Sequence, residues 1–175
     1  MSGERFEFDL AIRSEIVIGA PSPLLWEYLD RTREWKASVD SIERIDGTSQ
    51  EIGEVLRVGQ RAATGVVYTR LKTLQLKPNN WKMQSLTTED GRIPVGYVIH
   101  SLYEIGAHTR LVCDLLTRCH LQAAELAGHT TQEFARIACQ ATQAKMDSDL
   151  RVLKKLVEEA HEQRSEEHTS ELQSP

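Results

Sequence analysis

Cysteine and histidine are the residues of this chain best suited to chemistry, and their spacing excludes the common motifs built from them. The three cysteines, Cys113, Cys119 and Cys139, form an odd set without a C-x-x-C pair, which favours a reducing compartment over a disulfide-stabilised fold. Cys119 and His120 are adjacent in a strand-like segment, so their side chains point to opposite faces and cannot readily bind one metal ion. We therefore expect no metal site.

Sequence motifs for nucleotide binding and hydrolysis are also missing. The chain contains no H-E-x-x-H, no G-x-G-x-x-G and no G-x-S-x-G, which argues against a zinc hydrolase, a dinucleotide-binding enzyme and a serine hydrolase. We expect no cofactor.

His100 is the titratable residue of most interest. It lies in a strand-like segment, residues 95–105, where the odd-numbered residues compete with Val98, His100 and Leu102 for the buried face. Alternation alone leaves the direction of the imidazole open. A histidine that faces a cavity can exchange protons near neutral pH, whereas one that faces outward or is satisfied in the core has no such role.

The first element that could position such groups is a long strand followed by a helix. Residues 6–18 alternate between mainly apolar and mainly polar side chains, which predicts a half-buried strand. Ser22 followed by Pro23 predicts a helix start, with the serine as N-cap and the proline in the first helical position. We expect this helical region to end before Trp35.

The middle of the chain favours antiparallel strands. Short runs rich in Val, Ile, Thr and Leu are separated by Gly, Asp-Gly and Pro-Asn-Asn, and connections this short join antiparallel neighbours. The predicted strands are 39–46, 53–60, 65–76, 81–88, 95–105 and 109–121.

A long helix is predicted from Thr130 or Thr131 to about Gln163. Its first half carries Phe134, Ile137, Ala138 and Ala141 on one face, and its second half carries a stripe rotated by about 120°. Either the helix bends or its two halves contact different partners.

Composition and charge narrow the class of protein. The chain has 175 residues, is 40% hydrophobic and 27% charged, and has a net charge of −5, as expected for one ordinary globular domain. It lacks the basic surplus of an unselective polyanion binder, so we expect no nucleic-acid partner. We see neither a signal sequence nor an apolar run long enough to cross a membrane, and expect a cytoplasmic protein.

The C-terminal residues do not belong to the natural domain in our interpretation. Residues 164–174 look like the translation of a common sequencing-library adapter, so we predict a domain at 1–163 and an artefactual or disordered tail at 164–175. The tail holds one Arg and three Glu, and removing it changes the net charge from −5 to −3.

Several segments, in order, resemble one large family. They are Ile16-Val-Ile-Gly-Ala-Pro21, Leu25-Trp26-Glu-Tyr-Leu29-Asp30, Trp35, Ile45-Asp46-Gly47, Gly53, Thr109-Arg110-Leu111 and Asp149-Leu150-x-x-Leu153-Lys154. Their spacing over residues 10–160 is similar to that of the START-like superfamily, also called SRPBCC, which includes polyketide cyclases, dehydratases and lipid-transport proteins. Such a resemblance is specific for fold and not for activity.

The resemblance implies an α+β helix-grip fold. A curved seven-stranded antiparallel sheet would wrap around the long C-terminal helix, with two short helices after the first strand and an apolar cavity inside. Counting back from the Thr109-Arg110 hairpin, as in the family, turns the even-numbered residues of 95–105 inward. With strand alternation, the predicted lining residues are Thr69, Leu71, Trp81, Met83, Val98, His100, Leu102, Leu111, Cys113, Leu115, Phe134, Ile137, Ala138 and Ala141.

Three functions follow as alternatives. The first is a module that sequesters or transfers a small hydrophobic ligand such as a lipid, a quinone or a polyketide-like molecule. The second is a cyclase or dehydratase with His100 as acid and base. The third is a chaperone-like or toxin-type domain that binds a protein partner. An apolar lining favours the carrier, whereas inward polar groups within reach of His100 favour the enzyme; oligomeric state is not predicted.

Overall fold

The alternating N-terminal segment and the short middle runs form strands as expected. The structure, a computed structural model, describes residues 5–62, 65–92, 94–122, 126 and 128–172. The elements follow in the order β1 (Arg5–Ile18), α1 (Ser22–Leu29), α2 (Thr32–Trp35), β2 (Val39–Asp46), β3 (Val55–Ala62), β4 (Gly65–Lys77), β5 (Trp81–Thr88), β6 (Pro94–Ile105), β7 (His108–Gln122) and α3 (Thr131–Leu172).

The seven strands form one antiparallel sheet. Its order is β1-β7-β6-β5-β4-β3-β2, so strands β2 to β7 make a meander and β1 pairs with the last of them. Short hairpins account for this order because they join antiparallel neighbours directly. The β6–β7 hairpin is an example: Ile105 pairs with His108, and Gly106 between them adopts φ +61°, a conformation that glycine tolerates best.

The start of α1 differs in detail from the prediction. The helix begins at Ser22 and its N-cap is Pro21, which offers no side-chain hydrogen bond. Ser22 Oγ instead donates to Glu104 Oε1 at 2.7 Å, so Ser22 ties α1 to β6 and does not cap its own helix. The nearby Thr109 Oγ1 donates to the Ala20 carbonyl at 2.8 Å, which fixes the chain between β1 and α1 on the β6–β7 hairpin.

The long helix α3 begins where the sequence indicates and continues past Gln163. Thr130 and Glu133 form a reciprocal capping box, in which Glu133 N–H donates to Thr130 Oγ1 at 3.2 Å and Thr130 N–H donates to Glu133 Oε2 at 2.8 Å. The helix runs to Leu172, beyond the predicted end, and Arg164 contacts Glu27 of α1 at 3.1 Å.

Both halves of α3 lie along β1, and the second half also packs in the core. In the first half, Phe134 packs edge-on against Phe8 of β1, with ring centroids 6.1 Å apart. In the second half, the stripe Leu150, Leu153 and Val157 is buried in the core. That core also contains side chains from α1, α2, β6 and β7, while the sheet contacts of α3 are mainly with β1, so α3 does not cover β2 to β5.

Candidate functional site

The face of β2 to β6 that α3 leaves uncovered, together with α1 and α2, encloses the candidate site. Its cavity has a volume of about 340 Å³ and lies between the α1–α2 region and strands β2 to β6. Because apolar positions of neighbouring strands are in register, one wall is continuous and hydrophobic. The apolar lining consists of Leu29, Trp35, Val39, Ile42, Leu56, Val58, Leu71, Leu86 and Val98.

Strand register settles which face of β6 points inward. His100 pairs with Lys82 on β5 and with Cys113 on β7, and directly paired residues share a face of the sheet. Val98, His100 and Leu102 therefore point inward, as the family hairpin implied. Val98 and His100 line the cavity, whereas Leu102 lies in the core beside it.

His100 is buried without a hydrogen-bond partner for one ring nitrogen. Its side chain is 8% exposed, and Nδ1 has no partner among the described residues. Burial, with further contributions from the charges of Lys36 and Lys82, lowers the pKa of His100 to about 3. The expectation of an imidazole that titrates near neutrality is therefore wrong, and His100 is neutral at physiological pH.

The predicted inner face of β5 is also wrong. Trp81 and Met83 were expected inside, but Lys82 and Gln84 are the buried residues that line the cavity. The cause is the pairing with β6, which places Lys82 opposite His100 and Gln84 opposite Val98. Trp81 and Met83 consequently lie on the other face.

Buried polar residues on β5 are tolerated because each has a partner. Lys82 Nζ lies 2.8 Å from Asp30 Oδ1 and 4.0 Å from Glu54 Oε2, and Gln84 Nε2 donates to Thr73 Oγ1 at 3.3 Å. Burial of a charge or an amide is acceptable once it is paired in this way.

Glu54 completes a charged network that sequence reasoning missed. Its carboxylate is 3% exposed, lies 3.0 Å from Arg44 Nε, and accepts a hydrogen bond from the Gln50 backbone N–H at 3.2 Å. Asp30, Arg44, Glu54 and Lys82 come from four separate elements and loops, so no local motif identifies them. The one local signal was Lys82, the single charged residue of β5.

The helix does not form the predicted opposite wall. Phe134 packs on β1, Ile137 is 40% exposed and Ala141 is exposed, and none of the predicted α3 residues, Ala138 included, lines the cavity. The reason is that the first half of α3 lies against β1, at the far edge of the sheet from β2 to β5.

The remaining predicted lining residues divide between cavity and core. Thr69 and Leu71 line the cavity. Leu111 and Cys113 are buried in the core below α1, and Leu115 is half-buried but is not among the lining residues. Burial raises the pKa of the Cys113 thiol to about 12, so Cys113 is not a nucleophile under ordinary conditions.

Lys36 is a third cation that lines the cavity, after Arg44 and Lys82, and sequence analysis did not select it. It follows α2 directly, lines the cavity, and places Nζ 4.7 Å from the centroid of the Trp35 ring. Burial lowers the pKa of its ammonium group below the usual value.

The described residues hold neither a cluster of metal-ligating side chains nor a membrane-spanning helix. No group of three or more His, Cys, Asp or Glu side chains in that part of the chain is arranged to hold a metal ion. Among the same residues, no helix is both long and apolar enough to cross a membrane.

Comparison with known proteins identifies structures of similar fold but no protein that is similar in sequence. No family model matches the chain, and no curated protein matches it. Among solved structures it is similar to a protein from Thermus thermophilus, with 16% identity, a TM-score of 0.66, and coverage of 86% of this chain and 98% of the other.

Two further similar structures are aromatase/cyclases. The Zhui aromatase/cyclase from Streptomyces sp. R1128 shares 18% identity with a TM-score of 0.64, covering 86% of this chain and 94% of that one. The di-domain aromatase/cyclase StfQ of the steffimycin biosynthetic pathway shares 12% identity with a TM-score of 0.67, covering 87% of this chain and 52% of StfQ. These likenesses agree with the START-like resemblance at the level of fold: the chain has the helix-grip fold, a curved seven-stranded antiparallel sheet followed by a long C-terminal helix.

Proposed function

We propose that this chain binds a small, mainly apolar molecule in the cavity and holds or transfers it without changing it. The observation that carries the proposal is the cavity of about 340 Å³, which nine apolar and eleven polar or charged residues line. Ligand sites typically have volumes of about 300–1,000 Å³ and combine apolar walls with a few polar groups. Burial of apolar ligand surface against these walls would supply most of the affinity, at about 25 cal/mol per Å².

The alternative function, that of a cyclase or dehydratase with His100 as acid and base, has less support. Two structurally similar proteins are aromatase/cyclases, but likeness at 18% identity or below concerns fold alone. A general acid or base works best when its pKa lies near the working pH, and the pKa of His100 is lowered to about 3. We assign to His100 a hydrogen bond to the ligand and not a proton shuttle.

Two accompanying proposals concern location and partners. The free Cys113, Cys119 and Cys139 suit a reducing compartment, and we place the protein in the cytoplasm. The proposed partner is the small ligand, and we do not propose a nucleic acid as a partner.

The test uses the neutral dye Nile red and native mass spectrometry after exposure to a cell lipid extract. We expect a retained small molecule that displaces the dye. Val98→Trp should fill part of the cavity and abolish dye binding, while the control Val67→Trp, at a side chain 50% exposed on β4, should leave it intact. Circular dichroism checks that both variants fold.

Three outcomes would contradict the proposal. One is the absence of any retained molecule together with no displacement of dye. The second is dye binding that Val98→Trp leaves unchanged. The third is a bound molecule whose mass changes on incubation with the wild-type protein but not with His100→Ala, which would establish the enzymatic alternative.

A further inference from the structure

We propose that the ligand carries one carboxylate, and that Lys36 and His100 receive it at the polar end of the cavity. This inference rests on the proposed binding function and adds the chemical class of the ligand: an amphipathic carboxylic acid rather than an alcohol, an ester or a hydrocarbon.

The first argument is the charge balance around the cavity. Among the described residues, two carboxylates line the cavity and a third, that of Asp149, acts on Lys36 from outside it; each already has a cation of its own. Asp30 pairs with Lys82 at 2.8 Å, and Glu54 pairs with Arg44 at 3.0 Å. The third, Asp149 on α3, pairs with Lys145 at 3.1 Å.

Lys36 is the cation left over from this balance. It lines the cavity, and its ammonium group makes no ion pair or hydrogen bond with any described residue. Its Nζ lies 4.7 Å from the centroid of the Trp35 ring, and the nearest acidic group that acts on it, Asp149, is already paired. A desolvated cation is unfavourable until an opposite charge joins it, so an anionic ligand would gain more here than a neutral one.

The second argument is the unpaired nitrogen of His100. Nδ1 is buried and has no hydrogen-bond partner among the described residues, while the side chain as a whole is 8% exposed and lines the same cavity. A neutral imidazole can donate one hydrogen bond, and a carboxylate has two oxygens that can accept from different donors. One carboxylate can thus satisfy the imidazole and neutralise Lys36 together.

The surroundings of Lys36 fix the pH dependence of such binding. The groups that face it are Asp149 and Lys145 from α3, Cys113 from β7 and His100 from β6. Cys113 and His100 are neutral near pH 7, because burial raises the pKa of the thiol and lowers that of the imidazole. Preference for an acid should therefore decrease as the pH rises through the lowered pKa of Lys36, because the neutral amine no longer attracts a carboxylate.

The experiment compares decanoic acid with 1-decanol, which share an alkyl chain and differ in the head group. Each is titrated against protein loaded with Nile red at about pH 7. We expect the acid to displace the dye at a concentration about tenfold lower than the alcohol, as for one charge-assisted hydrogen-bond pair.

The matched variants are Lys36→Met and Lys72→Met. Lys72 is exposed on β4 and does not line the cavity. Lys36→Met should reduce the preference for the acid to about twofold or less while the affinity for 1-decanol stays within about twofold of wild type. Lys72→Met should keep the full preference, and Lys36→Arg should retain much of it because the positive charge remains.

The outcomes separate this inference from the binding function beneath it. If acid and alcohol bind equally well, or if Lys36→Met keeps the wild-type preference, the carboxylate assignment is wrong although the cavity binds ligands. If neither compound displaces the dye and Val98→Trp has no effect on dye binding, the binding function itself is wrong. Retained affinity of Lys36→Met for 1-decanol shows that this variant is folded with an intact cavity.

Discussion

The buried imidazole of His100 should make the stability of the empty protein depend on pH in a defined direction. The folded state holds His100 neutral, with its pKa lowered from 6.5 to about 3, whereas the unfolded chain binds a proton near pH 6.5. Unfolding therefore takes up a proton at any pH between these values. The contribution of the neutral imidazole to stability is complete above the unfolded pKa and is lost as the pH falls toward about 3.

The magnitude follows from the size of the shift. Each pH unit between the two pKa values changes the free energy of unfolding by about 1.4 kcal/mol. Protonation of His100 stabilises the unfolded state relative to the folded state by about 2 kcal/mol at about pH 5, but by only about 0.2 kcal/mol at about pH 7. The loss on going from the higher pH to the lower one is thus about 2 kcal/mol.

Urea denaturation at several pH values measures this loss. Between about pH 7 and pH 5 the free energy of unfolding should decrease in both proteins. The decrease for wild type should exceed that for His100→Gln by about 2 kcal/mol. His108→Gln serves as the control: His108 is exposed on the β6–β7 hairpin, and this variant should follow the wild-type curve. Parallel curves for wild type and His100→Gln would refute the assignment of a buried neutral imidazole.

Three further predictions concern stability. Lys82→Met should lower the free energy of unfolding by about 3 kcal/mol, because it leaves the buried Glu54 and the part-buried Asp30 without their lysine, and adding Asp30→Asn should recover part of the loss in urea denaturation. Gly96→Ala should cost about 2 kcal/mol or more, since its Cβ would lie 2.0 Å from the Leu116 carbonyl oxygen and force β6 and β7 apart. Leu153→Ala should lower stability by about 3 kcal/mol as measured by thermal or urea denaturation, because this core residue is fully buried.

These stability predictions have their own controls. Val152→Ala, beside Leu153 in sequence but 43% exposed, should change the free energy of unfolding by less than about 0.5 kcal/mol. Equal losses at residues 152 and 153 would contradict the placement of the α3 stripe in the core. A melting temperature unchanged by Gly96→Ala would contradict the close β6–β7 approach, and a double variant Lys82→Met/Asp30→Asn no more stable than Lys82→Met would argue against the ion pair.

The sheet could be predicted from sequence because its determinants are local. Residues 6–18 alternate over their whole length, and the structure has β1 at Arg5–Ile18. Gly106 marks the β6–β7 hairpin because a two-residue turn needs a residue that tolerates positive φ. Once every turn is short, antiparallel order follows without knowledge of distant contacts.

The inner face of β5 could not be predicted because its determinants are distant. Apolar alternation favours Trp81 and Met83 as inward residues, and a buried lysine is unfavourable in the absence of a partner. The partner is Asp30, at the end of α1 and 52 positions away in sequence. Since nothing in β5 itself specifies that pairing, the polar side of the cavity becomes visible only in three dimensions.

The pairing of β1 with β7 has a consequence for the kinetics of folding. Arg5 is opposite Gln122 and Ile18 is opposite Thr109. Strand β1 therefore cannot form these hydrogen bonds until β7, the last strand in the chain, has been synthesised. During synthesis, strands β2 to β6 can pair in sequence while β1 stays open to association with other chains. Closing so large a loop is entropically costly and slows folding, and we expect the docking of β1, with α3 against it, to be the late step that completes the protein.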